Sequence, residues 1–327
     1  MTILVTGGAG YIGGKLVESL LARGERVRVL DVRTAGAARL AQAGAELMQG
    51  DIRDREAVEV ALSGCDSLFH VAALFEMWHP DQKAYYEINV GGTRNVLGTA
   101  RDIGLGRVVY TSSAVTIGEG RDQMGDEDTV HRGYFLSDYE RSKYLAEQVA
   151  LEMCERGLRL VAVNPTSVYG PGQTGHMTGA LIRFLNGRLP AVTDSRLNFV
   201  YIDDVVDGHL MAMERGRVGQ RYILGGDNTS LVRFLSLAAE IAGVRRKPRQ
   251  VPSWLLTTIA RVLGASSALT GRRPWVSPDE ARTALHSFVF DSHKAREELG
   301  LEFTPLDRGL ERTVSWLQEE RLIESVD

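Results

Sequence analysis

At 327 residues the chain is long enough for two domains, or for one domain carrying a large added lobe. Apolar residues make up 44% and charged residues 24%, an ordinary balance for a soluble globular protein, and a net charge of −4 is not that of a nucleic-acid binder. Cys65 and Cys154 form neither a disulfide framework nor a metal-ligand spacing, so no metal is expected; strand pattern begins at once with no leader ahead of it, no apolar run reaches membrane-spanning length, and together these features predict a cytoplasmic protein.

The first element is a short apolar strand over 3–6 that runs into a glycine-rich turn. Helical spacing follows over 13–21 and stops near Gly24. A second strand over 26–30 ends at Asp31, and a third over 46–49 ends just before Gly50-Asp51. Residues 55–62 read as helix and 67–71 as a fourth strand. A long helical pattern spans 81–101, with Tyr85, Ile88, Val96 and Leu97 on related faces. The fifth strand, 107–110, feeds Thr111-Ser112-Ser113; a helix over 139–155 and a sixth strand over 159–163 follow, closed by Asn164-Pro165.

This alternation predicts an α/β fold: a doubly wound parallel sheet of Rossmann type, with ligands at the carboxyl ends of the strands. After Pro165 the rhythm loosens. Residues 1–165 are expected to form a dinucleotide-binding domain, with 198–216 returning to it; 166–197 and 217–327 are expected to form a smaller α/β substrate-binding lobe. The stretch 251–269 is the most apolar late segment. Interrupted by Thr257, Thr258 and Arg261, it reads as a helix with one apolar face (Trp254, Leu255, Ile259, Val262, Leu263) for core packing, a greasy substrate or a membrane surface. Residues 118–133 are polar and acidic and read as a lid or a solvated insertion.

Thr6-Gly7-Gly8-Ala9-Gly10-Tyr11-Ile12-Gly13 follows a strand and opens a helix. Missing side chains let backbone N–H groups approach a pyrophosphate at a helix N-terminus. Gly7, Gly10, Tyr11, Ile12 and Gly13 are therefore expected at a dinucleotide. Asp31, closing the second strand, would accept hydrogen bonds from an adenosine ribose and repel a 2′-phosphate, which favours NAD. Arg33 would accommodate that phosphate, leaving NADP as the alternative. Asp51 would meet the adenine amino group, with Ile52 on the adenine face.

Tyr139 and Lys143 lie four residues apart on one helix, so both face the same side. An ammonium beside a phenol lowers its pKa toward the working range of an acid/base catalyst. Lys143 would also hold a nicotinamide ribose, and Ser113 would orient a substrate oxygen against Tyr139. The loop Leu74-Phe75-Glu76-Met77-Trp78-His79-Pro80 carries large apolar groups, and Phe75 and Trp78 are expected to floor an apolar pocket.

With these motifs the chain resembles the extended short-chain dehydrogenase/reductase superfamily, which includes the NAD-dependent epimerases and dehydratases. The resemblance rests on Thr6–Gly13, Asp31, Gly50-Asp51, His70-Val71-Ala72-Ala73, Asn89-Val90-x-Gly92-Thr93, Thr111-Ser112-Ser113-Ala114, Tyr139-x-x-x-Lys143, Asn164-Pro165 and Phe199-Val200-Tyr201-Ile202-Asp203-Asp204-Val205. It implies that Ser113, Tyr139 and Lys143 are catalytic, that Val71, Ala72, Ala73, Asn89 and Pro165 belong to the cofactor site, and that Thr166 adjoins substrate. It further implies a homodimer paired through a four-helix bundle of 81–101 and 139–155. The later half is most similar to the dihydroflavonol-reductase-like group, which includes hopanoid-associated sugar epimerases. Dehydratases of the family carry Thr-Asp-Glu where this chain has Ser113-Ala114-Val115, which argues against dehydration. Many nucleotide-sugar binders carry Arg-Asp where Leu197-Asn198 stands. Three readings stay open: an oxidoreductase on a ketone/alcohol pair, an epimerase of a sugar or sugar nucleotide, and a non-catalytic NAD(P)-binding sensor.

Overall fold

The computed structural model describes residues 1–33, 37–120, 123–270 and 276–324, with only the backbone of 264–270. In chain order the strands are β1 (Thr2–Thr6), β2 (Arg26–Asp31), β3 (Glu46–Gln49), β4 (Ser67–His70), β5 (Arg107–Thr111), β6 (Met124–Gly125), β7 (Leu160–Pro165), β8 (Ser167–Tyr169), β9 (Arg196–Tyr201), β10 (Arg221–Leu224), β11 (Asp227–Ser230) and β12 (Val289–Phe290). The helices are α1 (Tyr11–Ala22), α2 (Ala38–Gln42), α3 (Arg55–Leu62), α4 (Lys83–Tyr85), α5 (Thr93–Asp102), α6 (Asp138–Glu155), α7 (His176–Leu185), α8 (Ile202–Arg215), α9 (Leu231–Ile241), α10 (Ser253–Thr270), α11 (Pro278–Ala284) and α12 (Leu306–Glu319).

Seven parallel strands form one sheet in the order β10-β7-β5-β4-β1-β2-β3. The predicted Rossmann-type architecture is present. Its central strands are apolar on both faces because helices cover both: Leu4, Val5, Val108, Val109, Val161 and Val163 are all fully buried. One face packs on α1 and α8, the other on α3, α5 and α6. Strand order reverses beside β1, with β2 on one side and β4 on the other, which opens a crevice at the carboxyl ends.

A second, three-stranded sheet, β11-β9-β8, packs with α7, α9 and α12 around a separate core. Phe199 stacks on Phe234 there at 4.2 Å between ring centres. The division of the chain differs from the expected one. Helix α8 does pack on the first sheet, through Val205, Val206 and Leu210, but the strand before it, β9, pairs with β8 and β11 instead. Strand β10, expected in the lobe, is the edge of the first sheet, paired with β7. Tyr222, Ile223 and Leu224 are fully buried there, the pattern of a strand covered on both faces.

The helix expected over 81–101 is present as one unbroken helical run over 83–102, but not α-helical throughout. A π-helical turn, Tyr86–Gly92, separates α4 from α5. It carries Asn89 inward and brings Gly92 so close to Ile52 that a Cβ would lie 2.5 Å from the Ile52 side chain. Among the described residues, none of the strongly exposed large apolar side chains falls on α5 or α6, the helices expected to pair in a dimer. Residues 118–133 are not a loose insertion. The Glu127 carboxylate accepts from the Ile223 N–H at 2.7 Å, its carbonyl accepts from Arg221, and Glu119 is fully buried; residues 121–122 lie outside the described residues.

Two buried histidines fasten the sheet. His70 joins β4 to β1 and α5, with Nδ1 at 2.7 Å from Thr6 Oγ1 and Nε2 at 3.0 Å from Thr93 Oγ1. His209 donates from Nδ1 to the Val205 carbonyl at 2.7 Å and accepts from the Thr111 hydroxyl at 2.8 Å. Burial pulls His70 down to about 3 and His209 down to about 4. Both rings stay neutral in the fold below the pH at which unfolded histidine takes up a proton. Stability is therefore level above the unfolded value near 6.5 and falls as pH drops below it, because the unfolded chain binds more protons. Each ring should contribute a slope of up to about 1.4 kcal/mol per pH unit between there and pH 5. Urea unfolding over pH 8 to 5 (conditions chosen to bracket about 6.5) measures it.

Candidate functional site

The glycine turn is built by contact rather than by flexibility alone. Gly7 has φ +72°, and a Cβ on it would lie 2.7 Å from the Ala72 backbone. A Cβ on Gly13 would lie 2.2 Å from the Gly7 carbonyl oxygen. The turn is thereby pressed against the end of β4 while α1 is pressed back onto the turn. Gly10 caps α1 without a side chain, so the N–H groups of the first helical turn, from Tyr11, Ile12 and Gly13, have no intrahelical acceptor. A carbonless cradle with free N–H groups and the positive end of a helix fits a pyrophosphate.

Asp31 leaves β2 with its carboxylate turned to that cradle, accepting from Ala9 N–H and Arg33 N–H, both at 3.0 Å. Arg33 is exposed. Asp51 pairs with Arg53 at 2.6 Å, which holds its carboxyl below the ordinary range. The helix cap there is Asp54, which accepts from Glu56 and Ala57 N–H. Ile52 is buried in the core against Gly92. Tyr11 reaches the second core, and its buried hydroxyl has no hydrogen-bond partner among the described residues.

Ser113 and Tyr139 meet, while Lys143, one turn along the same helix, sits on Thr111 and Tyr110. Ser137 caps α6 by accepting from Glu140 N–H, and this starts the helix one residue before Tyr139. Ser113 follows β5 in extended conformation. Its hydroxyl hydrogen-bonds the Tyr139 phenol and favours ionisation, but burial dominates and pushes the phenol up. The expected lowering of Tyr139 by Lys143 is not found. The Lys143 ammonium instead donates to the Thr111 carbonyl at 2.9 Å and to Tyr110 Oη at 3.4 Å. Burial brings it down to about 8, against the opposing charge of Glu147.

Behind the triad lies a buried network that motif reading missed. Glu147, two turns along α6 from Tyr139, is fully buried. Its carboxylate accepts from Asn164 Nδ2 at 2.6 Å, Thr116 Oγ1 at 3.0 Å and Arg221 at 3.1 Å. Asn164 and Thr116 also donate to the Ser113 carbonyl, at 3.2 and 2.8 Å. The position of Ser113 is thus set from α6, β7 and β10 together. A second buried group, Arg132 ion-paired with Glu140 and Glu119 hydrogen-bonded to His286 at 3.2 Å, ties residues 118–133 and the C-terminal lobe to the start of α6. Burial pushes Glu140 up to about 7, against the charge of Arg132. The spacing 139/143/147 was the available signal for Glu147, since all three positions share a helix face.

Asn89 was expected at the cofactor. It is buried, and its amide is spent on the Leu74 backbone, accepting at 2.7 Å and donating at 2.9 Å, and on Ser142 Oγ at 2.9 Å. It positions the loop after β4 rather than lining the crevice. Val71, Ala72 and Ala73 are half-buried at the head of that loop, and Pro165 is buried at the end of β7. Phe75 is 40% exposed and packs on His176 of α7 at 4.7 Å between ring centres; Trp78 is half-buried. Thr166 donates its hydroxyl to Asn198 at 2.8 Å, and Asn198 in turn donates to Gly226, Asn228 and Phe290. Both therefore lie in the joint between the two sheets.

The model of the NAD dependent epimerase/dehydratase family matches residues 3–225. Over 324 residues the chain is 38% identical to a putative dihydroflavonol 4-reductase of Synechocystis sp., covering 96% of this chain and 94% of the relative. It is 33% identical to sterol demethylase protein B of Methylococcus capsulatus, covering 99% and 100%. It is 31% identical to a 4-hydroxy-2-methyl-3-oxo-4-farnesyl-3,4-dihydroquinoline-1-oxide ketoreductase of Stigmatella aurantiaca, covering 92% and 91%. The crystal structure of gox2253 superposes with a TM-score of 0.85 at 33% identity, covering 99% of each chain. UDP-glucose 4-epimerase of Thermotoga maritima, solved with UDP-glucose, superposes with a TM-score of 0.80 at 25% identity, covering 98% and 100%.

Two outcomes follow from this geometry. Gly13→Ala drives a Cβ into the Gly7 carbonyl and should cost about 1–3 kcal/mol of stability, read by denaturant unfolding. Glu147→Gln leaves Arg221 half-paired and should cost about 3 kcal/mol. It also removes the charge that supports the Lys143 ammonium, so the Lys143 titration, followed by NMR of the labelled side chain, should move below about 8.

Proposed function

The chain belongs to the NAD-dependent epimerase/dehydratase family of extended short-chain dehydrogenases/reductases, and from that premise we propose that it interconverts a ketone and a secondary alcohol on a largely apolar molecule. The carrying observation is the protonated, half-buried phenol of Tyr139 touching the Ser113 hydroxyl at the carboxyl end of the sheet.

In this reading Gly7, Gly10, Tyr11, Ile12 and Gly13 hold the pyrophosphate of NAD, and Asp31 holds the adenosine ribose, where a 2′-phosphate would meet its charge. Asp51 and Ile52 flank the adenine. Val71, Ala72, Ala73 and Pro165 line the remaining path, and Lys143 reaches the nicotinamide ribose from its seat on Thr111. Bound there, the reduced cofactor, NADH, would supply the hydride that the chain itself lacks.

Ser113 donates to the substrate oxygen and fixes it against Tyr139. A phenol whose pKa is raised by burial keeps its proton at neutral pH, so Tyr139 stands ready to protonate an alkoxide. That state suits the reductive direction. Lys143, brought down by burial to about 8, still carries its charge at neutral pH and would hold the ribose rather than exchange a proton with Tyr139 directly. Phe75 and Trp78 offer apolar surface to the rest of the molecule. The sterol and farnesyl groups in the names of two relatives support a bulky apolar substrate.

A sugar epimerase is the second reading, favoured by the likeness to UDP-glucose 4-epimerase. Against it, Asn198 is spent on internal hydrogen bonds and offers no cation to a diphosphate.

The test is a panel of prenyl, steroid and alkyl ketones with NADH. Stoichiometric NADH oxidation with alcohol formed is expected; stereoinversion of a sugar with no net NADH change would sink the reductase reading. Tyr139→Phe should lower kcat by about a hundred- to ten-thousand-fold while leaving NAD affinity unchanged. Undiminished turnover in that variant would remove Tyr139 from the chemistry.

A further inference from the structure

The charge of the whole chain hides a local asymmetry. Between Glu240 and Asp279 there is no aspartate or glutamate, yet Arg245, Arg246, Lys247, Arg249, Arg261, Arg272 and Arg273 all fall there. The rest of the chain carries 31 lysines and arginines against 42 acids. Sequence averaging thus conceals one strongly cationic segment in an acidic protein.

The described cations of this segment lie on the surface. Arg245, Lys247 and Arg249 are exposed, and with Phe184, Leu189 and Pro190 they line an open concavity of about 620 Å³. The segment is fixed rather than loose, because Val192 donates its N–H to the Arg249 carbonyl and accepts from the Val251 N–H, and Arg246 donates to the Phe184 carbonyl at 3.1 Å. Helix α10 follows at once. Its apolar face was expected to serve core packing, a greasy substrate or a membrane surface, and the structure leaves Trp254 69% exposed and Val262 65%. Trp254, Thr258 and Arg261 fall on one face, with Val262 beside them. Leu255, Leu256, Ile259 and Leu263 are only half-buried.

We propose that α10 and the cationic segment before it dock the protein onto an anionic lipid bilayer. Exposed lysines and arginines are drawn to the negative surface potential of such a membrane. A tryptophan beside aliphatic side chains and an arginine is the composition that settles at the boundary of headgroups and acyl chains. No helix among the described residues is long and apolar enough to cross a membrane, so the contact is peripheral. A nucleic acid would use the cations but gives no reason for solvent-facing Trp254 and Val262. Helix α10 packs on α11, whose Arg282 donates to the Leu136 carbonyl close before Tyr139. If the apolar-substrate reading above holds, the bilayer lies beside the reacting end of α6; the docking itself does not rest on that reading.

Flotation of the full-length protein with vesicles tests this. Vesicles rich in phosphatidylglycerol should carry the protein up at low salt, and pure phosphatidylcholine vesicles should not. Changing Arg245, Lys247 and Arg249 together to glutamine should weaken partitioning by about a hundredfold, at about fivefold per cation. Trp254→Ser should weaken it at least about tenfold. All four positions are exposed, so circular dichroism melting should be unchanged in both variants. Failure to float with anionic vesicles, flotation unaffected by both variants, or preference for a duplex oligonucleotide over the vesicles would each overturn the proposal. Loss of ketone turnover with flotation intact would count against the catalytic reading alone.

Discussion

A carboxylate without water must be satisfied by protein, and the fully buried Glu147 makes that demand at the centre of this molecule. Its partners come from three places in the chain: Thr116 after β5, Asn164 on β7 and Arg221 on β10. Meeting the demand draws the two strands on that side of the sheet and the turn after β5 around α6. Two of these donors, Asn164 and Thr116, also hold the Ser113 carbonyl, so the group that would orient a substrate is fixed by the group that organises the helix. Glu147 also supports the charge of Lys143 one turn back. Fold and site are coupled through one buried charge.

That coupling changes how Tyr139 is understood. Spacing alone suggested an ammonium poised to lower a phenol. In the structure the ammonium is drawn away by the Thr111 carbonyl, and burial leaves the phenol protonated. Proximity along a helix face is a statement about Cβ positions; where a four-carbon side chain puts its charge depends on which acceptors lie within reach. Here a strand-end carbonyl lies nearer to hand than the phenol.

The parallel sheet, the glycine turn and the shared helix face of Tyr139 and Lys143 were all legible in the sequence, because each depends on a local pattern: apolar runs bounded by turns, glycine spacing after a strand, helical spacing. The division into lobes was less legible. Strands β9 and β10 look alike as short apolar runs, and only the pairing partners, far off in the chain, send one to each sheet. The π-helical turn at Asn89 was invisible for a similar reason. Its partners lie far off in the chain: Leu74 and Ser142 satisfy the buried Asn89 amide together, and Gly92 meets Ile52. Asn89 and Thr166 were read as ligand contacts, but long-range hydrogen bonds had already claimed their polar atoms.

The substrate side follows from the same accounting. A diphosphate is held by cations with free donors. At the joint between the sheets this chain has Asn198, buried, with its oxygen taken by Thr166 and its nitrogen by three acceptors. An arginine there would bring a buried charge into a network with no carboxylate to receive it. The arrangement that stabilises the joint is therefore the one that removes a phosphate anchor from it. A cluster of solvent-facing cations, Arg245, Arg246, Lys247 and Arg249, lies instead between Val244 and Gln250, outside that joint. Phe75, Trp78 and the loop that Asn89 holds in place offer surfaces better suited to carbon than to phosphate.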